Sequence, residues 1–184
     1  MIILVSQSPR RQEILTRLKI PFVTETSPYE EILHQTMTSR RLVSQLARGK
    51  VEAYLRQNKT PPHRVLGADT LLSFQGSSLG KPSDRKGAKE MLENLKGHTH
   101  FVLTSLCLYD PVTTQFRQNI TSTKVIFRDF SPQELEEYLD TGEWAGAAGA
   151  YRIQETGERL VKGISGCYSN VVGLPIPALY AILS

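Results

Sequence analysis

Five charged side chains stand at positions that neither a core nor a solvated surface explains well. Asp69 interrupts "VLGADTLL", an otherwise apolar run where a desolvated carboxylate without partners is costly. Lys50 lies i+4 from both Leu46 and Tyr54, on the apolar stripe of "RLVSQLARGKVEAYL". Lys81 is set between Gly80 and Pro82 in "LGKP", just after a tight turn. Arg10 and Arg11 follow Pro9 at a predicted helix start, where the macrodipole favours acids, not cations. Singly, Asp69, Lys50 and Lys81 have ordinary readings: a carboxylate bonded to backbone or paired with a cation, a lysine whose stem packs while its ammonium reaches water, a loop lysine. Together they describe four cations around one acid. That set suits a ligand bearing several negative charges and a reaction needing a base or a metal-holding carboxylate. A polyphosphate at the helix start would make the dipole and the arginines two contributions to one anion site.

The elements that must position these groups follow from periodicity. Residues 2–5 read as a buried strand, followed by the "SQS" loop and a helix over roughly 9–18 with Ser8 as N-cap. "PFVTET" predicts a second strand, and "SPYEEILHQT" a connection holding the acidic pair Glu30 and Glu31. Apolar residues at 3–4 spacing predict a helix from about Ser39 to Gln57, broken by "NKTPPH". "RVLGADTLLSF" reads as a strand, and Ser83 as the cap of a helix running to Leu95, with Gly97 beyond it. "THFVLTSLCLYD" and "QFRQNITSTKVIF" flank "PVTT" as a long hairpin. Ser131, Pro132 and Glu134 stand in capping-box positions for a helix to about Leu139. A Gly/Ala-rich turn leads to a short strand "YRIQ", and the chain closes with "GCYSNVVGLP" and a helix "IPALYAIL". The hairpin needs antiparallel pairing, so the expected sheet is mixed α/β. No linker divides the chain, which reads as a single domain over 1–184.

Composition bounds the partners. Forty per cent hydrophobic and 22% charged residues are ordinary for a globular domain, and 22 Lys and Arg against 18 Asp and Glu leave a net charge of +4. That surplus permits an anionic ligand, but basic runs interleaved with aromatics are missing, which argues against nucleic acid. Cys107 and Cys167 form no CxxC and read as buried free thiols, suiting a reducing compartment. "MIILV" is too short for a signal-peptide core, and "FVLTSLCLY" falls well below the ~20 residues of a membrane span. The expectation is a cytoplasmic protein with no membrane partner. His98 and His100 read as polar strand residues rather than a metal pair, since no third ligand accompanies them.

"SQSPRRQEIL", "LARGKV", "LGADT", "LGKP", "GAYRIQ" and "GCYSNVVGLP" succeed one another along the whole chain. In that order they resemble the Maf family, the septum-formation-inhibitor-like nucleoside triphosphate pyrophosphatases. The resemblance implies a twisted mixed sheet flanked by helices, two lobes around a central cleft, and cleavage of a nucleoside triphosphate between its α and β phosphates. It implies a divalent cation, Mg or Mn, whose ligands are unknown beyond a share for Asp69. By the "GADT" match Asp69 is the proton acceptor, and Glu31 of "YEE" is implied as an aid to the metal. Arg11, Lys50 and Lys81 match positions that contact the phosphates, with Ser6 and Ser8 lining the same loop. Arg10, Thr70 and Gln154 match positions that separate members acting on dTTP and UTP from members acting on 7-methyl-GTP. A Gln amide offers one donor and one acceptor, the pair needed to read a uracil or thymine edge. The expected substrates are therefore dTTP and UTP, with modified pyrimidine nucleotides in reach of the same recognition, and the expected roles are nucleotide-pool cleansing and a link to division arrest. Many members are dimers, so a homodimer is one assembly implied. The rival readings are a 7-methyl-GTP pyrophosphatase and a non-catalytic anion- or nucleic-acid-binding regulator of division. The chain departs from the family pattern at Val5, at Gly146 and Ala147, and at Glu155 directly after "IQ".

Overall fold

An apolar run needs cover on both sides, and Ile2–Val5 (β1) obtains it inside a seven-stranded sheet, flanked by parallel neighbours. The computed structural model describes residues 1–29 and 37–184; Glu30 and Glu31 lie outside the described residues. After β1 come Pro9–Arg17 (α1), Phe22–Glu25 (β2), Ser39–Gln57 (α2), Arg64–Phe74 (β3), Ser77–Leu79 (β4) and Arg85–Leu95 (α3). The chain continues with Thr99–Asp110 (β5), Gln115–Phe127 (β6), Pro132–Asp140 (α4), Val161–Ser165 (β7), Tyr168–Val172 (α5) and Ile176–Leu183 (α6). Strand order is β2-β1-β3-β5-β6-β7, with β4 paired to β3, and every pairing outside β1 is antiparallel. The mixed α/β sheet expected from the sequence is the one observed. Among the described residues no helix is long and apolar enough to cross a membrane.

The long strands β3 and β5 set up two lobes by changing character midway. On one face, Leu66, Ala68, Leu106 and Leu108 join a core with α1 and α6, whereas Leu72 and Val102 join another with α3, α4 and Tyr151. Between these cores lie Thr70 and Thr104, which are register partners. On the opposite face, Val65 and Cys107 pack under the middle and end of α2, and Leu71 and Leu103 under its start. Here the dividing residues are Gly67, Asp69 and Ser105. The pairing of β1 with β3 ends at Val5 and Gly67, so β3 runs on beside an opening from Ala68. An opening past the carboxyl end of a strand flanked by two parallel partners is the usual ligand position of such sheets.

Three local expectations are corrected. The cap of α3 is Asp84, whose side chain accepts from the Gly87 amide, rather than Ser83. "YRIQ" is not a strand: it lies between 3-10 turns at 148–150 and 156–160. Gly157 packs so closely on Arg152 that a Cβ would stand 2.6 Å from its carbonyl oxygen, and Glu155 N–H donates to that same oxygen, folding the segment back on itself. The strand in this region is β7, on the outer edge of β6. Cys107 is a buried free thiol, its pKa pushed up to about 12 by burial, but Cys167, ahead of α5, is only half-buried.

Candidate active site

A cavity of about 600 Å³ opens where β1 ends, within the usual range of small-molecule sites. Ser6, Ser8, Arg10, Arg11, Lys50, Asp69, Thr70, Lys81 and Gln154 all line it. These residues come from the β1–α1 loop and α1, from α2, β3, the loop after β4, and the turn after residue 150.

Asp69 is held by the register of β3. Gly67, two residues before it on the same face, lies so close to α2 that a Cβ would sit 2.6 Å from both the Ala47 carbonyl oxygen and Val51 Cγ2. This approach brings the next inward residue of α2, Lys50, against the next inward residue of β3, and the Lys50 ammonium bonds Asp69 Oδ1. Both side chains are largely buried. The stem of Lys50 packs as its place on the apolar stripe predicts, but its charged end meets a carboxylate at the cavity wall rather than bulk water.

Arg11 answers the opposite demand. It is buried although it stands in the first turn of α1, which holds no acidic residue. Its Nε donates to the Gly173 carbonyl oxygen at 3.0 Å, Nη1 to Ser6 Oγ at 2.9 Å and Nη2 to Thr70 Oγ1 at 3.1 Å. Ser6 Oγ also accepts from the Ser8 amide. Ser8 precedes α1 as expected but makes no capping bond with its side chain. Arg10 reaches across the opening to the Gly146 carbonyl at 3.4 Å, a long bond. Burial, and after it the neighbouring Arg152, lower the pKa of Arg10 below the ordinary arginine value.

Lys81 is exposed on the rim, and its loop is tied down by the Gly149 amide donating to the Gly80 carbonyl at 3.0 Å. Gly149 has φ 74° and lies against Leu72, where a Cβ would be 2.3 Å from Cδ1, so only glycine lets this turn approach β3. Val171, Val172 and Gly173 form part of the wall.

The cavity also holds Tyr29, Ser27 and Arg152, which the sequence did not single out, and Glu155, noted there only as a departure from the family pattern. Tyr29 lies over Gly49, whose missing Cβ would fall 2.4 Å from the ring, and Ser27 Oγ donates to the Lys50 carbonyl at 2.9 Å. Arg152 donates to the Ala145 carbonyl at 2.9 Å and faces Glu155 at 3.4 Å. Its signal was a charge two residues from Gln154 in a segment misread as a strand. His98 and His100 do not reach the site as ligands: His100 is fully buried, with Nε2 2.9 Å from the Tyr151 hydroxyl. Among the described residues no group of three or more His, Cys, Asp or Glu could hold a metal ion by itself. A hard cation held through one carboxylate, with substrate phosphates and water completing its shell, needs no such group, and Asp69 at the cavity wall fits that mode.

Cations from α1, α2 and the loop after β4 thus converge with Asp69 in a single hollow, an arrangement able to grip a chain of phosphates and present a base to it. Comparison with known proteins agrees. The chain matches the family model described as "Maf-like protein" over residues 1–184. It is 42% identical to a dTTP/UTP pyrophosphatase of Latilactobacillus sakei, across all of this chain and 99% of the relative. It is 37% identical to one of Treponema denticola (100% of this chain, 95% of the relative) and 38% identical to one of Syntrophomonas wolfei (98% and 95%).

Proposed function

The chain belongs to the Maf family, and from that premise we propose that it hydrolyses dTTP and UTP to the nucleoside monophosphate and pyrophosphate. The observation that supports this most is the meeting of Arg11, Lys50 and Lys81 with Asp69 in one cavity. Arg11, Lys50 and Lys81 bind the phosphate chain and neutralise the charge that grows on the departing pyrophosphate. Asp69 orients a water molecule and takes its proton as the oxygen attacks the α-phosphorus. The bond from that phosphorus to the α–β bridging oxygen breaks, and the electron pair leaves with pyrophosphate. Lys50 fixes the direction of the Asp69 carboxylate through their bond and, on the cavity side, meets the phosphates. Asp69 would also share a divalent cation with the phosphate oxygens, and such a cation supplies further charge neutralisation there. Gln154, whose amide makes no hydrogen bond to the described residues, reads the pyrimidine edge, with Arg10 beside the same opening.

The test is release of pyrophosphate from dTTP, UTP and 7-methyl-GTP by the wild type and by Asp69→Asn. The expected result is turnover of the two pyrimidine nucleotides, cut roughly 100-fold or more by the substitution. Preference for the methylated purine would transfer the protein to the other specificity. Wild-type turnover no faster than the variant's, with nucleotide still bound, would make it a binding module.

A further inference from the structure

Thr70 lines the cavity, yet its hydroxyl is committed on the inner side to a chain of buried polar groups that the proposed reaction does not use. Thr70 Oγ1 and Thr104 Oγ1 are 3.0 Å apart across the β3–β5 pair. Thr104 Oγ1 in turn donates to the main-chain carbonyl of Asn170 at 3.1 Å. Thr104 and Asn170 are both fully buried.

The order of donors along this chain is fixed by its far end. A carbonyl oxygen only accepts, and a threonine hydroxyl has one proton to give. The Thr104 proton goes to Asn170, so Thr104 must accept from Thr70. The Thr70 proton is then spent, so towards Arg11 its oxygen can only accept, and Arg11 Nη2 donates to it at 3.1 Å. Asn170 is itself pinned: its Nδ2 donates to the Val102 carbonyl and to Thr123 Oγ1, both at 2.9 Å. Its carbonyl also accepts the Gly173 amide at 3.0 Å, and the Gly173 carbonyl accepts Arg11 Nε. α5 and the Gly173 that caps it therefore reach the same guanidinium twice, directly through Gly173 and indirectly through Asn170, Thr104 and Thr70.

From this we infer that Thr104 is a positioning residue for the phosphate-binding arginine: it keeps Thr70 an acceptor and so holds the planar fork of Arg11 in the orientation that meets a phosphate. The inference rests on the proposed phosphate role of Arg11, and it assigns Thr70 a share in phosphate binding besides the base discrimination its family match implies. Neither Thr104 nor Asn170 lines the cavity. A change at Thr104 therefore acts through Thr70 and Arg11 without touching substrate.

The experiment compares Thr104→Val and Thr104→Ser by calorimetric binding of inorganic tripolyphosphate and by pyrophosphate release from dTTP and UTP. Valine keeps the shape and loses both hydrogen bonds; serine keeps both. Thr104→Val is expected to weaken tripolyphosphate binding about tenfold and to lower kcat/KM for both nucleotides equally, with Thr104→Ser restoring wild-type values. On an Arg11→Ala background the valine substitution is expected to cost nothing more, whereas damage to the fold at large would persist there. Thr104→Cys, whose thiol is a weak donor and acceptor, supplies an intermediate loss to be read if the valine variant does not fold. Unchanged tripolyphosphate affinity in Thr104→Val or Thr104→Cys, or an equal loss without Arg11, would overturn the inference while leaving the proposed function standing. A wild type that neither binds tripolyphosphate nor releases pyrophosphate would overturn both.

Discussion

At the scale of single residues, the members of the cavity are side chains whose types are out of place in their elements. A carboxylate in an apolar run, a lysine on a helix's buried stripe and an arginine at a positive helix end each conflict with local rules, and such conflicts collect at functional sites. The structure resolves each one through the cavity: Lys50 on Asp69, Arg11 on Ser6, Thr70 and Gly173. Arg152 and Tyr29 were not legible, because a cation beside a turn and a tyrosine in a loop conflict with nothing. What marks Tyr29 is Gly49, twenty residues away in sequence and beneath its ring, a contact only tertiary structure supplies. Gln154 provides the prediction proper to this scale. Gln154→Leu removes the only amide among the residues matched to specificity while adding no charge. Its kcat/KM for dTTP is expected to fall roughly 10- to 100-fold, with tripolyphosphate affinity within about twofold of wild type, since the proposed phosphate-binding groups are Arg11, Lys50 and Lys81. Steady-state kinetics set beside calorimetry checks the split; equal losses in both would place Gln154 with the phosphates instead.

At the scale of elements, periodicity and caps gave most of the secondary structure. The 3–4 spacing over 39–57 placed α2 at its observed bounds, and the capping box of α4 forms as its residues require, with Glu134 and Ser131 bonded reciprocally. The failures have separate causes. "YRIQ" alternates like a strand, but the positive-φ turn at Gly149, packed on Leu72, and the close approach of Gly157 to Arg152 fold the segment back before it can pair. β7 was missed because "VKGIS" pairs on one side only and holds a glycine in its middle. What local reading left out is how close elements lie, and here that distance shapes the proposed site. The bare Cα of Gly67 lets α2 settle on β3 and sets Lys50 opposite Asp69. A methyl group at this point meets backbone and a buried valine, neither of which yields easily. Gly67→Ala is therefore expected to destabilise the fold by about 1–3 kcal/mol. It should also lower kcat more than the affinity for tripolyphosphate, because the displaced helix carries Lys50 away from the carboxylate. Urea unfolding and single-turnover kinetics measure the two effects, and normal stability with normal kcat would show that the approach of α2 can relax.

At the scale of the whole molecule, the two lobes meet across a sheet whose middle is polar on both faces, so each apolar core ends where the site begins. The lobe built on α3 and α4 buries an imidazole. His100 is wholly buried, its ring edge-on to Phe127 and Tyr151, with Nε2 against the Tyr151 hydroxyl and Nδ1 without a partner among the described residues. Burial lowers its pKa to about 4 from the ordinary 6.5. Above pH 6.5 the ring is neutral whether the chain is folded or unfolded, and the native state has its full stability from this group. As pH falls from 6.5 towards 4 the unfolded chain takes up a proton that the folded chain refuses, so stability declines with acid; below about 4 both states hold it and the loss levels off. Refusing that proton costs the native state about 1.4 kcal/mol for every tenfold rise in acidity, so the loss across this window is on the order of 3 kcal/mol. Glu134, whose carboxylate is bonded by Arg128 and the Ser131 amide, titrates lower still, near 2. Its contribution is present above its ordinary value of 4.5 and disappears as pH falls through about 2, below the histidine window. Urea unfolding at pH 7 and pH 4.5 should therefore show a steep loss in the wild type and a shallower one in His100→Gln, which retains a polar side chain but has no proton to take up. Parallel losses in the two proteins would mean that acid attacks the fold elsewhere than at the ring beneath Tyr151.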